Sequence, residues 1–219
     1  MKIEVVKNIL EYNKNHADKN RELFRENNVM VLNMLSSPGA GKTSLIIETI
    51  KRSGRKRKIG VIEGDISSTY DSEKISKFTD SVVQINTGGT CHLNATMVSD
   101  AVKKLKIKNL DIIIIENVGN LICPVGFDLG EDYKVVLSSV NEGDDKPVKY
   151  PPVFIKGNVI LLNKIDLLEI SDFNINFFIN KVKKLNYDSE IIQISCKTGT
   201  GLDEWIRWVE NAASIKCNK

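Results

Sequence analysis

The chain has 219 residues, 42% hydrophobic and 27% charged, with a formal net charge of +3; this is the make-up of ordinary globular protein, of a size that one α/β domain fills. So small a charge argues against a nucleic-acid partner, and no apolar run approaches the roughly 18 residues of a membrane span, so neither nucleic acid nor membrane is expected. Glu4 and Lys7 stand where a signal peptide would be apolar, which points to the cytoplasm, a reducing compartment where Cys91, Cys123, Cys196 and Cys217 serve as metal ligands or buried groups more readily than as disulfides.

Residues Ile3 to Arg25 carry apolar positions at Val5, Val6, Ile9, Leu10, Ala17, Leu23 and Phe24, a loose helical spacing that predicts one or two amphipathic helices. His16 lies in their polar middle and reads as a surface residue. The apolar run Val29 to Leu35 then predicts a strand, which breaks into Ser36-Ser37-Pro38-Gly39-Ala40-Gly41-Lys42-Thr43 before a helix-like run from Ser44 to Ile50. A strand, a glycine-rich turn and a helix are the context of a P-loop. Backbone N–H groups and a helix N-terminus converge on phosphate, and side chains at Gly39 and Gly41 would obstruct that approach. Lys42 supplies the charge for the β- and γ-phosphates and Thr43 a hydroxyl for Mg²⁺, with Gly39, Ala40, Gly41 and Ser44 completing the cradle. Ser36 replaces the usual first glycine of the motif. The division expected is an N-terminal helical segment at 1–28 and a P-loop domain at 29–219, in one globular unit.

The basic run Lys51 to Lys58 reads as a solvated turn leading to a strand at Ile59 to Ile62, and Glu63-Gly64-Asp65 as the loop beyond it. Asp65 is there a candidate for Mg²⁺ or for orienting the attacking water. Val82 to Ile85 predicts a strand, Asn86 to Thr90 a turn, and Cys91-His92 the entry to a helix with Leu93, Met97, Val98, Ala101, Val102 and Leu105 on one face. At such a helix start the dipole would favour a Cys91 thiolate. Asp111 to Ile115 predicts a strand buried on both faces, ending in Glu116-Asn117-Val118-Gly119, where Glu116 is positioned to hold Mg²⁺ and sense a γ-phosphate. The loop beyond carries Cys123; with Cys91 and His92 it makes a thiolate and imidazole set suited to Zn²⁺ or Ni²⁺, with a coordination position left open.

After a strand at Val135 to Val140 and a polar loop from Asn141 to Pro152, the strand Val159 to Leu162 runs into Asn163-Lys164-Ile165-Asp166. In that order an Asp166 carboxylate accepts from guanine N1–H and N2–H₂, which adenine cannot match, while Asn163 and Lys164 brace the loop. The last strand, Glu190 to Ile194, leads to Ser195-Cys196-Lys197, whose backbone and lysine stem complete a base site, and the helix Leu202 to Ala212 closes the domain with Trp205 and Val209 as anchors. Alternating strands and helices predict a three-layer α/β P-loop NTPase domain with a predominantly parallel sheet flanked by helices. The two glutamines, Gln84 and Gln193, fall inside predicted strands, so hydrolysis without a partner is expected to be slow.

Taken together, the P-loop, Glu63-Gly64-Asp65, Asn86-Thr87-Gly88 with Cys91-His92-Leu93, Glu116 to Pro124, Asp144-Asp145-Lys146-Pro147 and Asn163-Lys164-Ile165-Asp166 resemble the hydrogenase nickel-incorporation GTPases, the HypB family, from about Asn20 to Trp208. The resemblance implies a GTP-hydrolysing metallochaperone that cycles between GTP and GDP with Mg²⁺. It implies a homodimer when GTP is bound, a small nickel- and zinc-binding maturation partner and, indirectly, the hydrogenase large-subunit precursor. Some members add a cysteine motif or histidine-rich stretch; here His16 and His92 are the only histidines, which argues against nickel storage, and Asn94 stands where Asp is common. The alternatives are a urease-type nickel accessory GTPase, whose Cys-Pro-His pattern differs from Cys91-His92, and a metal-binding module with a structural nucleotide.

Overall fold

A computed structural model of the chain describes residues 9–54, 56–66 and 68–217. Seven strands form its centre: β1 (Met30–Ser36), β2 (Ile59–Asp65), β3 (Val82–Asn86), β4 (Ile112–Glu116), β5 (Tyr133–Ser139), β6 (Val159–Asn163) and β7 (Glu190–Gln193). They lie in the order β3-β2-β4-β1-β5-β6-β7, and each pairing is parallel, as the alternation of elements in the sequence predicts. The helices are α1 (Ile9–Glu26), α2 (Lys42–Ser53), α3 (Tyr70–Ile75), α4 (Ala95–Val102), α5 (Lys146–Lys149), α6 (Pro151–Lys156), α7 (Ile175–Leu185) and α8 (Leu202–Cys217).

β4 consists of four isoleucines and Glu116, all buried, because it has a neighbour on each side and helices over each face. Each isoleucine contributes roughly 1.5–3 kcal/mol of burial. Trp205 and Val209 of α8 are fully buried with Leu45 and Ile46 of α2 on one face; Phe24 of α1 and Val98 of α4 close the other. Trp205 keeps its indole N–H satisfied by donating to Thr49 Oγ1 of α2 at 2.8 Å.

In several places the tertiary structure departs from the sequence expectation. The N-terminal segment forms one helix among the described residues, and Ile9 and Leu10 are exposed on it while Asn13 and Asn20 are buried; Val5 and Val6 lie outside the described residues, as does Arg55 of the basic run. The strand at Ile59 continues through Glu63 and Gly64 to Asp65, because β3 and β4 pair with it to that point. The stretch from Asn141 to Pro152 is not an open loop: a 3-10 turn at Val140–Glu142 is followed by α5 and α6. α3 and α7 were not foreseen, though α7 has a legible signal in Ile175, Phe178, Ile179, Val182 and Leu185 at helical spacing, begun by Asn174, which caps Phe177 N. Finally, α4 starts at Ala95, capped by Asn94 through Met97 N, so Cys91 and His92 precede the helix.

Candidate functional site

Strand ends supply the phosphate end of the site. β1 stops at Ser36, fully buried and extended, so no glycine is needed there, and its hydroxyl accepts from Lys42 Nζ at 2.9 Å. Gly41 takes φ 104° as the residue before α2, and a Cβ on it would come 2.5 Å from the Asn163 amide; Gly39, at φ 80°, faces open space. Burial lowers the pKa of Lys42, partly countered by Glu116, Glu142, Asp71 and Glu63. A cavity of about 420 Å³ opens here, lined among others by Gly39, Thr43, Asp65, Asp71, Lys74 and Gly119.

Two carboxyls face this cavity from neighbouring strands, since Glu63 of β2 is the register partner of Glu116 of β4. Thr43 Oγ1 donates to Glu116 Oε1 at 3.0 Å, whereas Glu116 Oε2 and Glu63 Oε2 are buried with no hydrogen-bond partner. Desolvation raises Glu63 to about 8, with repulsion from Glu116 and Asp65 adding to it; desolvation also raises Glu116 to about 7 against the pull of Lys42 and Thr43. Unpartnered carboxylate oxygens beside a hydroxyl and a phosphate cradle fit a hard divalent cation such as Mg²⁺. Asp65 accepts from Ser68 N at 2.8 Å, at the cavity's rim.

Toward the other side of α2, a second cavity of about 330 Å³ is lined by Gly41, Ser44, Asn163, Lys164, Asp166, Leu167, Cys196 and Lys197. Asn163 Nδ2 donates to Ala40 O at 2.9 Å and its Oδ1 accepts from Cys196 N at 3.2 Å, so one buried side chain ties the P-loop to the loop after β7. Lys164, at φ 62°, donates to Gly39 O at 2.7 Å. Ser195 Oγ donates to Asp166 Oδ1 at 2.6 Å and Lys197 Nζ lies 4.0 Å from its other oxygen, which sets a carboxylate in the lining of this slot. Burial raises the Cys196 thiol to about 11, so it lines the slot as a neutral group.

The third part is Cys91, His92 and Cys123, from two different loops. One ligand atom from each lies within 4.8 Å of the other two, a spacing that a single metal ion can span. Here the helix-dipole expectation for Cys91 is corrected: with α4 starting four residues later, the thiol pKa is raised, first by its hydrogen bond to Cys123 and then by desolvation. A metal bound there would displace the Cys91 proton. Desolvation lowers the His92 pKa, which favours the neutral imidazole, and its ring stacks on Phe127 at 3.9 Å between centroids. Asn94 caps α4, its Oδ1 accepting from Met97 N at 3.0 Å.

Sequence reasoning passed over Glu63, read as part of a loop, and Asp71 and Lys74, which α3 brings to the cavity rim joined at 2.9 Å. It also passed over Asn117, 1% exposed, whose Oδ1 accepts from Leu93 N at 3.2 Å and so joins the end of β4 to the residue after His92. Of the two glutamines, Gln84 is held by Ser72 and Ser68 and Gln193 faces outward.

Comparison with known proteins bears on this arrangement. The family profile described as CobW/HypB/UreG, nucleotide-binding domain, matches residues 30–193. Hydrogenase maturation factor HypB of Azotobacter vinelandii is 45% identical over 208 residues, covering 95% of this chain and 69% of that protein. Among solved structures, HypB from Archaeoglobus fulgidus superposes with a TM-score of 0.87 at 41% identity, covering 93% of this chain and 99% of that one. HypB from Helicobacter pylori, solved in complex with nickel, superposes at 0.89 with 33% identity, covering 93% and 95%.

Proposed function

The chain belongs to the CobW/HypB/UreG family as a HypB-like P-loop GTPase, and from that premise we propose that it hydrolyses GTP to control nickel delivery during maturation of [NiFe] hydrogenase. The observation that carries the proposal is the placing of three soft or borderline ligands, Cys91, His92 and Cys123, at the end of the sheet that also holds the P-loop. Asn163, Lys164 and Asp166 with Ser195, Cys196 and Lys197 hold the guanine, and Gly39 to Ser44 hold the phosphates. Lys42 exchanges its contact with Ser36 for phosphate oxygens, where its charge offsets the negative charge of the γ-phosphoryl group in transfer. Thr43, Asp65 and Glu116 would hold Mg²⁺, which when bound supplies charge neutralisation across the β- and γ-phosphates. Glu63, raised to about 8, favours its neutral form near neutral pH, which limits its repulsion of Glu116.

No glutamine reaches the phosphate side, so turnover without a partner is on the order of 10⁻³ s⁻¹. Gly119 packs against the P-loop, a Cβ on it coming 3.0 Å from Pro38, so a ligand that shifts this contact also moves the loop leading to Cys123. In the proposed cycle, GTP brings two copies together in the cytoplasm, the open coordination position is filled across the two-fold axis, and hydrolysis returns the metal to a small nickel- and zinc-binding partner on its way to the hydrogenase precursor. The N-terminal segment, 1–28, and the P-loop domain, 29–219, act as one unit in this scheme.

The adjacent Cys91-His92 pair favours this reading over a urease-type accessory GTPase with Cys-Pro-His. Nickel and zinc affinity and oligomeric state, measured with GDP and with a non-hydrolysable GTP analogue, test it. Affinities that differ between the two nucleotides are expected, and by linkage the metal then shifts nucleotide preference by the same factor. Identical affinities and an unchanged mass in both states would reject the cycle.

A further inference from the structure

The loops that bear the three proposed metal ligands are bridged by a helix that carries none of them. Asn13 and Asn20 lie two turns apart on the buried face of α1, 6% and 2% exposed. Asn13 accepts from Ala95 N at 2.8 Å and donates to Asp128 O at 2.7 Å. Asn20 donates to Ala95 O at 2.8 Å and to Leu129 O at 3.0 Å. Each amide therefore holds the segment after Cys91-His92 with one contact and the segment after Cys123 with another. Around them Arg21 grips the Asp128 carboxylate at 2.7 and 2.8 Å, and Gly130 runs so close to α1 that a Cβ would come 2.7 Å from Ala17 O. Next to Asp128 is Phe127, whose ring stacks on His92.

We propose that Asn13 and Asn20 are positioning residues of the metal site: by clamping Ala95 to Asp128 and Leu129, they fix the Cys91-His92 loop against the Cys123 loop at ligand spacing. This rests on the proposed metal role of Cys91, His92 and Cys123. The bond to Ala95 N serves the start of α4, but the bonds to Asp128 O and Leu129 O tie α1 to a segment with no regular structure, whose position matters for Phe127 and Cys123. Because the ligands come from loops, the distance between them is set by such bridges and not by strand register.

Asn13→Asp separates bridging from capping. Its carboxylate still accepts from Ala95 N, and a negative charge at the start of α4 is favourable, but it has no proton for Asp128 O and faces that carbonyl oxygen with like charge. In the full-length chain titrated with Ni²⁺ alone, nickel affinity should fall about tenfold and the thiolate-to-nickel charge-transfer band should shift, while GDP binding reports an intact fold. Asn20→Leu, which removes both donors, should lose more. In the native protein, occupation of the site must by linkage reinforce the clamp, so Ni²⁺ should slow hydrogen exchange of the Ala95 amide. A native affinity and band in Asn13→Asp, or an Ala95 amide whose exchange nickel leaves unchanged, overturns the clamp. Cys91→Ala and Cys123→Ala are the control on the underlying site: nickel binding that survives both rejects that site itself, whatever the asparagines do.

Discussion

The nucleotide groove and the Cys-His-Cys pocket sit at the same end of one sheet but are built in opposite ways. Ser36, Glu63, Glu116 and Asn163 stand at or within two residues of the ends of strands whose register fixes them, with the central strands largely buried on both faces. Cys91, His92 and Cys123 stand in segments outside any strand or α-helix, partly exposed, and the residues just after His92 are tied by hydrogen bonds to Asn20 of α1 and to Asn117. A site on strand ends is rigid whether or not its ligand is present. A site on loops held by a few hydrogen bonds can be tightened or released by events elsewhere, which suits the proposed role in metal delivery.

The largest effect expected on the rigid side is from Lys42→Ala. Removing the cation that a buried cradle holds for phosphate should lower kcat/KM for GTP by a factor of about 10³ or more, measured by phosphate release. Loss below about tenfold would show that another cation, such as Lys74, carries the charge.

Asp166→Asn should next convert guanine preference into xanthine preference by about 100-fold or more, read by competition between GTP and xanthosine triphosphate. The amide oxygen still accepts from Ser195 and the amide nitrogen meets the altered base edge, so the fold should survive. Retained GTP preference would place base recognition elsewhere in the slot.

On the loop side, nickel affinity should rise steeply with pH between about 6 and 8, because the Cys91 thiol holds its proton more firmly than free cysteine and must release it to bind metal. Cys123→Ala should weaken binding about 10- to 100-fold and flatten that slope. A slope unchanged by Cys123→Ala would mean that its thiol is not a ligand.

The smallest expected effect is on stability, and it belongs to the groove. Glu63 and Glu116 titrate near 8 and 7 in the folded chain against 4.5 for an ordinary glutamate. Between pH 4.5 and 8 the folded state therefore binds more protons than the unfolded one, so the stability these groups lend is complete at the acid end and is lost as pH rises through 7 and 8. The melting temperature of nucleotide-free, Mg²⁺-free protein should fall by several degrees from pH 5.5 to 8. Glu63→Gln should reduce that fall; a melting temperature that rises over the same window would assign the carboxyls ordinary acidity.

Much of this was written in the linear chain. Four consecutive isoleucines predict a doubly buried strand, and a glycine-rich turn before Lys42 and Thr43 predicts a phosphate cradle, because backbone geometry and burial over a few neighbouring residues determine both. Asn163 to Asp166 is equally local. The family resemblance rests on such segments, and the comparison with known proteins agrees with it.

What only the tertiary structure decided are the relations between distant segments. Glu63 looks like a loop residue until β3 and β4 pair on both sides of it and strip away its water. Cys91 looks like a helix start until Asn94 takes the cap and Cys123, 32 positions on, comes within hydrogen-bond reach of its thiol. Asn13 and Asn20 look like the solvent-facing side of an amphipathic helix, and nothing near them in sequence says otherwise. Their partners are 75 to 115 residues away, so the hydrogen bonds that make them buried and specific exist only once the chain has folded.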